Sequence, residues 1–236
     1  MRERLPVVLL RCGEPVRDVR NAVGDYSLWF QRALEEPLGV VDLRDPTEPL
    51  PDAAGYIVMG SPLAVYDPHP WLPRALDVAR LLLEGQRPAL GVCFGHQLFA
   101  CAAGGRVERN PRGVEVGTVE VALTDAAADD PLLAGLGPRL RVNASHDDTV
   151  SELPPGPQLL GSSEREPRQI LRWGERVWSV QFHPEMRRAE TRLAVRWRTP
   201  RILEEGGDPE DLAERVEEAP HGRRLLENFL SLVRSD

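Results

Sequence analysis

Pro88-Ala-Leu-Gly-Val-Cys-Phe-Gly-His-Gln-Leu-Phe-Ala-Cys-Ala-Ala-Gly-Gly105 passes from an apolar run, through two closely spaced glycines, into a helix-forming stretch. Residues 88–92 have the length and apolar character of a buried strand of a parallel sheet. Gly91-Val-Cys93-Phe-Gly95 then spells a sharp strand-to-helix turn, a nucleophile elbow with cysteine where serine is usual. So tight a turn demands small residues two before and two after its tip, and both are glycine. It sets the sulfur at the N-terminal end of the following helix, where unpaired N–H groups and the helix dipole favour the reactive thiolate. The amide of Phe94 is aimed at a developing oxyanion. Gln97, four residues on, shares the helical face of Cys93 and is a candidate to hold the polar end of an amino-acid substrate. His96 is predicted to point sideways from the same helix. Cys12 and Cys101 lack such surroundings and read as small buried hydrophobes.

Working outward, Tyr56-Ile-Val-Met-Gly-Ser-Pro62 ends a strand in a turn. Gly60 permits close backbone approach there, and the Ser61 amide becomes a second oxyanion donor. Downstream, Val180-Gln-Phe-His-Pro-Glu185 follows another strand. Pro184 biases His183 towards an extended conformation. Extended residues two apart share a side, so Glu185 is expected to orient the His183 imidazole as a base for the thiol. Ser145-His-Asp-Asp148 puts several potential ligand atoms side by side. Neighbouring residues point in different directions and no second ligand cluster accompanies them, so no metal and no cofactor is expected.

Further apolar runs at 7–10, 40–42 and 55–59 read as buried strands, with amphipathic stretches at 26–35 and 73–83 between them. This alternation predicts an α/β fold, a doubly wound, mostly parallel central sheet flanked by helices, with ligands outside the strands' carboxyl ends. Beyond Gly105, residues 114–123, 169–173 and 176–181 alternate as antiparallel or mixed strands do. Residues 124–137 and 153–161 read as loops. The tail beyond Met186 is helical, broken around Gly206-Gly207-Asp208-Pro209, and its last helix, 222–233, carries Leu225, Leu226, Phe229, Leu230 and Val233 on one face.

The chain has 236 residues with 42% hydrophobic and 28% charged, enough for one sizeable core without disulfides. With no repeat or linker in view, one domain spanning 1–236 is expected, with a core of about 5–186 and a helical extension of about 187–236. A formal net charge of −8 leaves no basic footprint for a nucleic-acid partner. Three cysteines make no disulfide framework and fit a reducing compartment. The short apolar run after Met1-Arg-Glu-Arg4 closes at Arg11, so neither a signal segment nor a membrane partner is expected, and the location is read as cytoplasmic.

Together the elbow, the Gly60-Ser-Pro turn and the His183-Pro-Glu185 segment resemble the class I glutamine amidotransferase family, the type with a Cys-His-Glu triad. The resemblance spans roughly 55 to 185. It implies a flavodoxin-like class I fold, with Cys93 as nucleophile, His183 as base, Glu185 as its orienter and Gln97 as a substrate-binding residue. It further implies that Asn143-Ala-Ser145-His146 is a loop whose backbone contacts the glutamine head, and that Gly60 lies by the substrate. Within the family, Gly60-Ser-Pro-Leu-Ala-Val-Tyr-Asp-Pro-His-Pro-Trp71 and Gly91-Val-Cys-Phe-Gly-His-Gln97 are most similar to stand-alone members. Those include proteins similar to the amidotransferase half of GMP synthase, and γ-glutamyl peptidases.

Three functions follow. In one, the chain hydrolyses the glutamine side-chain amide through a γ-glutamyl thioester on Cys93 and passes ammonia to a separate synthase subunit. The sequence has no phosphate-cradling G-x-x-x-x-G-K-[ST] loop for a synthase of its own. In another, it acts alone on small γ-glutamyl conjugates. In the third, it is a non-catalytic thiol sensor or binding module, which would need no oriented base.

Overall fold

The computed structural model describes residues 5–235, so Met1–Arg4, before the run for which no signal segment is expected, lie outside the described residues. The runs expected to be buried strands form β1 (Val7–Arg11), β2 (Gly39–Asp42), β3 (Gly55–Val58) and β4 (Ala89–Val92). With β11 (Val177–Val180) they make the parallel half of a nine-stranded sheet, ordered β2-β1-β3-β4-β11. The other half is antiparallel: β10 (Ile170–Arg172), β9 (Gln158–Ser162), β6 (Glu115–Leu123) and β7 (Arg139–His146) follow in that order. β5 (Arg106–Arg109) and β8 (Asp148–Glu152) form a separate antiparallel ladder.

Alternation along β1 shows why the sheet is covered twice. Val8 and Leu10 pack with Ala75, Ala79 and Leu82 of α3 (Leu72–Leu83) and Leu98 and Phe99 of α4 (Phe94–Ala102). Val7 and Leu9 join the opposite cluster, with Phe30 and Leu34 of α2 (Tyr26–Leu34) and Leu225, Leu226 and Phe229 of α8 (Pro220–Arg234). Successive strand residues point to opposite faces, so each face needs its own helical cover. A third cluster joins Val114, Val116 and Trp29 to Val195, Ile202 and Val216 beneath α5 (Arg188–Trp197), α6 (Thr199–Glu204) and α7 (Pro209–Glu214). The first helix, α1 (Arg17–Val23), touches α5.

The expected loop at 153–161 is corrected in part, because β9 begins within it at Gln158. The loop expected at 143–146 is instead the end of β7, paired residue for residue with β6. Among the described residues, no helix is long and apolar enough to cross a membrane.

The order β3-β4-β11 decides where chemistry can occur. These parallel neighbours end in step, Val58 opposite Gly91 and Val92 opposite Val180. Their carboxyl ends therefore bring Gly60, Cys93 and His183 to one crevice, although they are up to 123 positions apart in the chain.

Candidate functional site

Cys93 joins β4 to α4 at φ 51° and ψ −101°, a positive-φ conformation that costs a non-glycine residue roughly 1–3 kcal/mol. Its backbone is held on both sides: its N–H donates to the Val180 carbonyl at 2.9 Å, and its carbonyl accepts from Gln97 N–H at 3.1 Å. The flanking glycines have steric causes. A Cβ on Gly91 would lie 2.7 Å from the Gly95 carbonyl oxygen, and one on Gly95 would lie 2.3 Å from the Val58 carbonyl oxygen of β3. Both obstacles are backbone and cannot swing aside. Gly95→Ala is therefore expected to lower unfolding free energy by about 1–3 kcal/mol, measured by urea denaturation. An unchanged midpoint would show that α4 can lift off β3 without cost.

Cys93 and His183 are 6% and 4% exposed and lie side by side: a Cβ on Gly60 would meet both, and the imidazole acts on the thiol to lower its pKa. His183 Nδ1 donates in turn to Glu185 Oε1 at 2.7 Å. The expected extended segment is not what sets this pair. His183–Met186 is a turn, closed by Met186 N–H donating to the His183 carbonyl at 3.3 Å, with Pro184 at its second position. The turn folds the carboxylate back onto the ring, and α8 packs against it: a Cβ on Gly222 would lie 2.8 Å from the Pro184 carbonyl oxygen. His183 N–H also donates to the Asn143 carbonyl at 2.8 Å, fixing the turn to β7.

Electrostatics separates the charges of this chain. Burial alone raises the Cys93 thiol, but His183, with His146 and Arg198 behind it, outweighs burial and brings the thiol below its ordinary 9.0. Burial opposes charge on His183 as well, yet Glu185 and Cys93 push it up to about 10. Both shifts, the thiol downward and the imidazole upward, act in the direction of a thiolate–imidazolium pair. His96 is no rival base: its Nδ1 pairs with Ser179 Oγ at 2.8 Å, and burial, with His146, lowers it to about 3.

Gly60 lies against the pair, since a Cβ there would sit 2.8 Å from His183 Cε1 and 3.6 Å from Cys93 Cβ. Ser61, Ser145, Tyr26 and Arg198 line the adjoining hollow with His183. Phe94 opens α4 with its ring buried against Trp71, 5.8 Å between centroids, so only its backbone remains for the crevice. Gln97 is buried at 3% exposure, donating to Gln181 Oε1 at 3.1 Å and to the Asp148 carbonyl at 3.4 Å.

His146 faces away from the hollow. Its Nε2 meets Glu115 Oε2 at 2.9 Å and its Nδ1 meets the Asp148 carbonyl at 3.0 Å, two acceptors that favour the doubly protonated ring. Burial opposes that charge, and Glu115 outweighs it. Asp147 pairs with Arg198, and Asp148 accepts from Tyr66 Oη at 2.9 Å, so the 145–148 cluster is occupied by protein partners. Among the described residues no group of His, Cys, Asp and Glu is arranged to hold a metal.

The model of the family "Glutamine amidotransferase class-I" matches residues 32–195. The chain belongs to that family. It is 34% identical over 217 residues to a glutamine-hydrolyzing GMP synthase of Aeropyrum pernix, covering 89% of this chain but only 35% of that protein. The amidotransferase chain thus spans about a third of the length of that relative. Against a protein of Halobacterium salinarum that is one subunit of a glutamine-hydrolyzing GMP synthase, it is 36% identical over 176 residues, covering 73% of this chain and 90% of the relative. The fold is similar to that of a glutamine amidotransferase from Thermotoga maritima, with a TM-score of 0.77 at 22% identity, covering 99% of this chain and all of that one.

The crevice holds residues that sequence reading passed over. Tyr26 stacks beside His183, with ring centroids 6.4 Å apart and planes at 18°. Glu115 is buried beneath His146, and Arg198 reaches Ser145 from the end of α5. None carries a local motif; Glu115 would have been found only from the β6–β7 register, which sets it opposite His146.

Proposed function

We propose that this chain is a glutaminase that opens the side-chain amide of glutamine through a γ-glutamyl thioester on Cys93. The observation that carries the reading is the elbow thiol of Cys93 set beside His183, whose Nδ1 donates to Glu185. The thiolate of Cys93 attacks the amide carbon, and the amides of Ser61 and Phe94 receive the oxyanion, each donor worth roughly 3–4 kcal/mol. His183 gives its proton to the departing ammonia. It then takes a proton from the water that cleaves the thioester, releasing glutamate and restoring the thiol. Gly60 keeps the approach to the thiol open, while Gln97, Ser145 and, through its backbone alone, His146 serve the amino-acid head.

The ammonia is passed to a separate synthase subunit. That reading draws on the match to the Halobacterium protein, one subunit of a glutamine-hydrolyzing GMP synthase, whose length this chain nearly spans. One observation favours a second reading, hydrolysis of small γ-glutamyl conjugates without a partner. The hollow adjoining His183 and Ser61 is walled by Val16, Val19, Trp29 and Trp197, an apolar surface for the far part of a leaving amine larger than ammonia.

Incubating the purified chain with glutamine, and separately with γ-glutamyl dipeptides, distinguishes the two. The first reading expects glutamate and ammonia from glutamine, with a higher kcat/KM than for any dipeptide. Preference for dipeptides would replace it with the second. Absence of turnover on both, with Cys93 readily oxidised, would refute each and leave a thiol sensor.

A further inference from the structure

The residues matched by the family model end at 195, yet the hollow beside His183 is completed by Trp197 and Arg198. Arg198 stands where α5 gives way to α6; its N–H donates to the Ala194 carbonyl, and its carbonyl accepts from Ile202 N–H. It is 9% exposed, and so is a buried cation that must be fully engaged. One edge of its guanidinium grips a single residue twice: Nε donates to Ser145 Oγ at 2.9 Å and Nη2 to the Ser145 carbonyl at 3.1 Å. Nη1 pairs with the Asp147 carboxylate, and the Trp197 ring lies 4.8 Å from the guanidinium carbon. Asp147 is held from its other side by Asn110 N–H, which donates to its carbonyl at 2.8 Å.

We propose that Arg198 is a positioning residue for substrate binding, its planar fork fixing the Ser145–Asp147 backbone as the cradle for the amino-acid head of a γ-glutamyl substrate. The inference rests on the glutaminase reading above and assigns a substrate-positioning task to the helical segment beyond the matched residues. The geometry argues for a fork rather than a charge alone. Two parallel donors on one serine define both where Ser145 lies and how its peptide is turned, and a single ammonium cannot do both. Register pairs Ser145 with Val116 and His146 with Glu115, and Asp147 falls in the one-residue break before β8 begins at Asp148, which is where Arg198 braces the chain. A displacement near 1 Å in such a cradle costs about 100-fold.

The test uses the diazoketone analogue of glutamine, 6-diazo-5-oxo-norleucine, which must seat its amino-acid head before it labels a thiol, and iodoacetamide, which has no such head. Three chains are compared: the unaltered protein, Arg198→Lys, and Arg198→Met combined with Asp147→Asn so that no carboxylate is left unpaired. In both variants the analogue concentration for half-maximal inactivation is expected to rise roughly 10- to 100-fold. In Arg198→Lys, which keeps the positive charge that helps lower the thiol, the limiting inactivation rate and the iodoacetamide rate are expected to stay within about threefold. The double variant loses that charge, so both rates are read above the thiol's inflection, where the same limit is expected. Unchanged half-saturation in both variants would overturn the proposal. So would full rescue by lysine, which would reduce the role to charge, or a parallel fall in both labelling rates, which would move the role to the thiol. An unaltered chain that reacts with iodoacetamide but shows no saturable labelling by the analogue would instead refute the glutaminase reading itself.

Discussion

Cys93→Ala is expected to cut glutamine hydrolysis by roughly 10⁴-fold or more while leaving a folded protein. The loss is large because the thiol is the group to which the γ-glutamyl carbon bonds, and nothing beside it can replace it. His96 is neutral and committed to Ser179, and Cys12 and Cys101 belong to the cluster on the α3–α4 face of the sheet. The oxyanion amides would survive, because Cys93 N–H still reaches Val180 and its carbonyl still receives Gln97. Stability should change little, since alanine tolerates φ 51° no better than cysteine. Cys93→Gly offers a contrast: equally inactive, it is expected to exceed Cys93→Ala in unfolding free energy by about 1 kcal/mol through relief of the elbow conformation. Ammonia release and urea denaturation check both parts, and substantial turnover by the alanine variant would refute the assignment.

Glu185→Gln should have the next largest effect, a fall in kcat/KM of roughly 10²–10⁴-fold. The carboxylate accepts from His183 Nδ1 at 2.7 Å and is the leading influence that raises this buried ring. A neutral amide removes that influence, so burial again dominates and the His183 pKa falls from about 10. Cys93 then loses its cationic partner, the leading opponent of its own burial. The sign follows: in the unaltered chain, alkylation by iodoacetamide should rise through an inflection below 9.0, the ordinary thiol value. In Glu185→Gln the inflection should move upward, and alkylation at neutral pH should slow. An inflection that stays in place would mean that the carboxylate does not act on the thiol through the imidazole.

The parallel half of the sheet was readable because strands covered on both faces are near-continuous apolar runs, as in residues 7–10 and Gly55–Val58. The elbow was readable because its two glycines answer to backbone contacts, which leave no alternative residue. β7 was not. Its first half alternates exposed Arg139 and Arg141 with buried Leu140 and Val142, but Asn143, Ser145 and His146 are polar and buried together. Their burial is compensated by partners elsewhere in the chain: Thr118 for Asn143, Arg198 for Ser145 and Glu115 for His146. Polar residues satisfied at long range look like a loop to any local reading. For His183 and Glu185 the expected pairing was right and its geometry was not, because Pro184 serves a turn rather than an extended strand. Arg198 left no local trace, since its partner Ser145 lies 53 positions away.

The central claim is a covalent bond between Cys93 and a γ-glutamyl group, and mass spectrometry of the chain quenched in acid during glutamine turnover tests it most directly. The account predicts a mass increase of one γ-glutamyl group, mapped to the peptide carrying Cys93, lost on mild alkaline treatment and absent from Cys93→Ala. Steady release of glutamate and ammonia with no adduct on Cys93, and with turnover retained in Cys93→Ala, would contradict it.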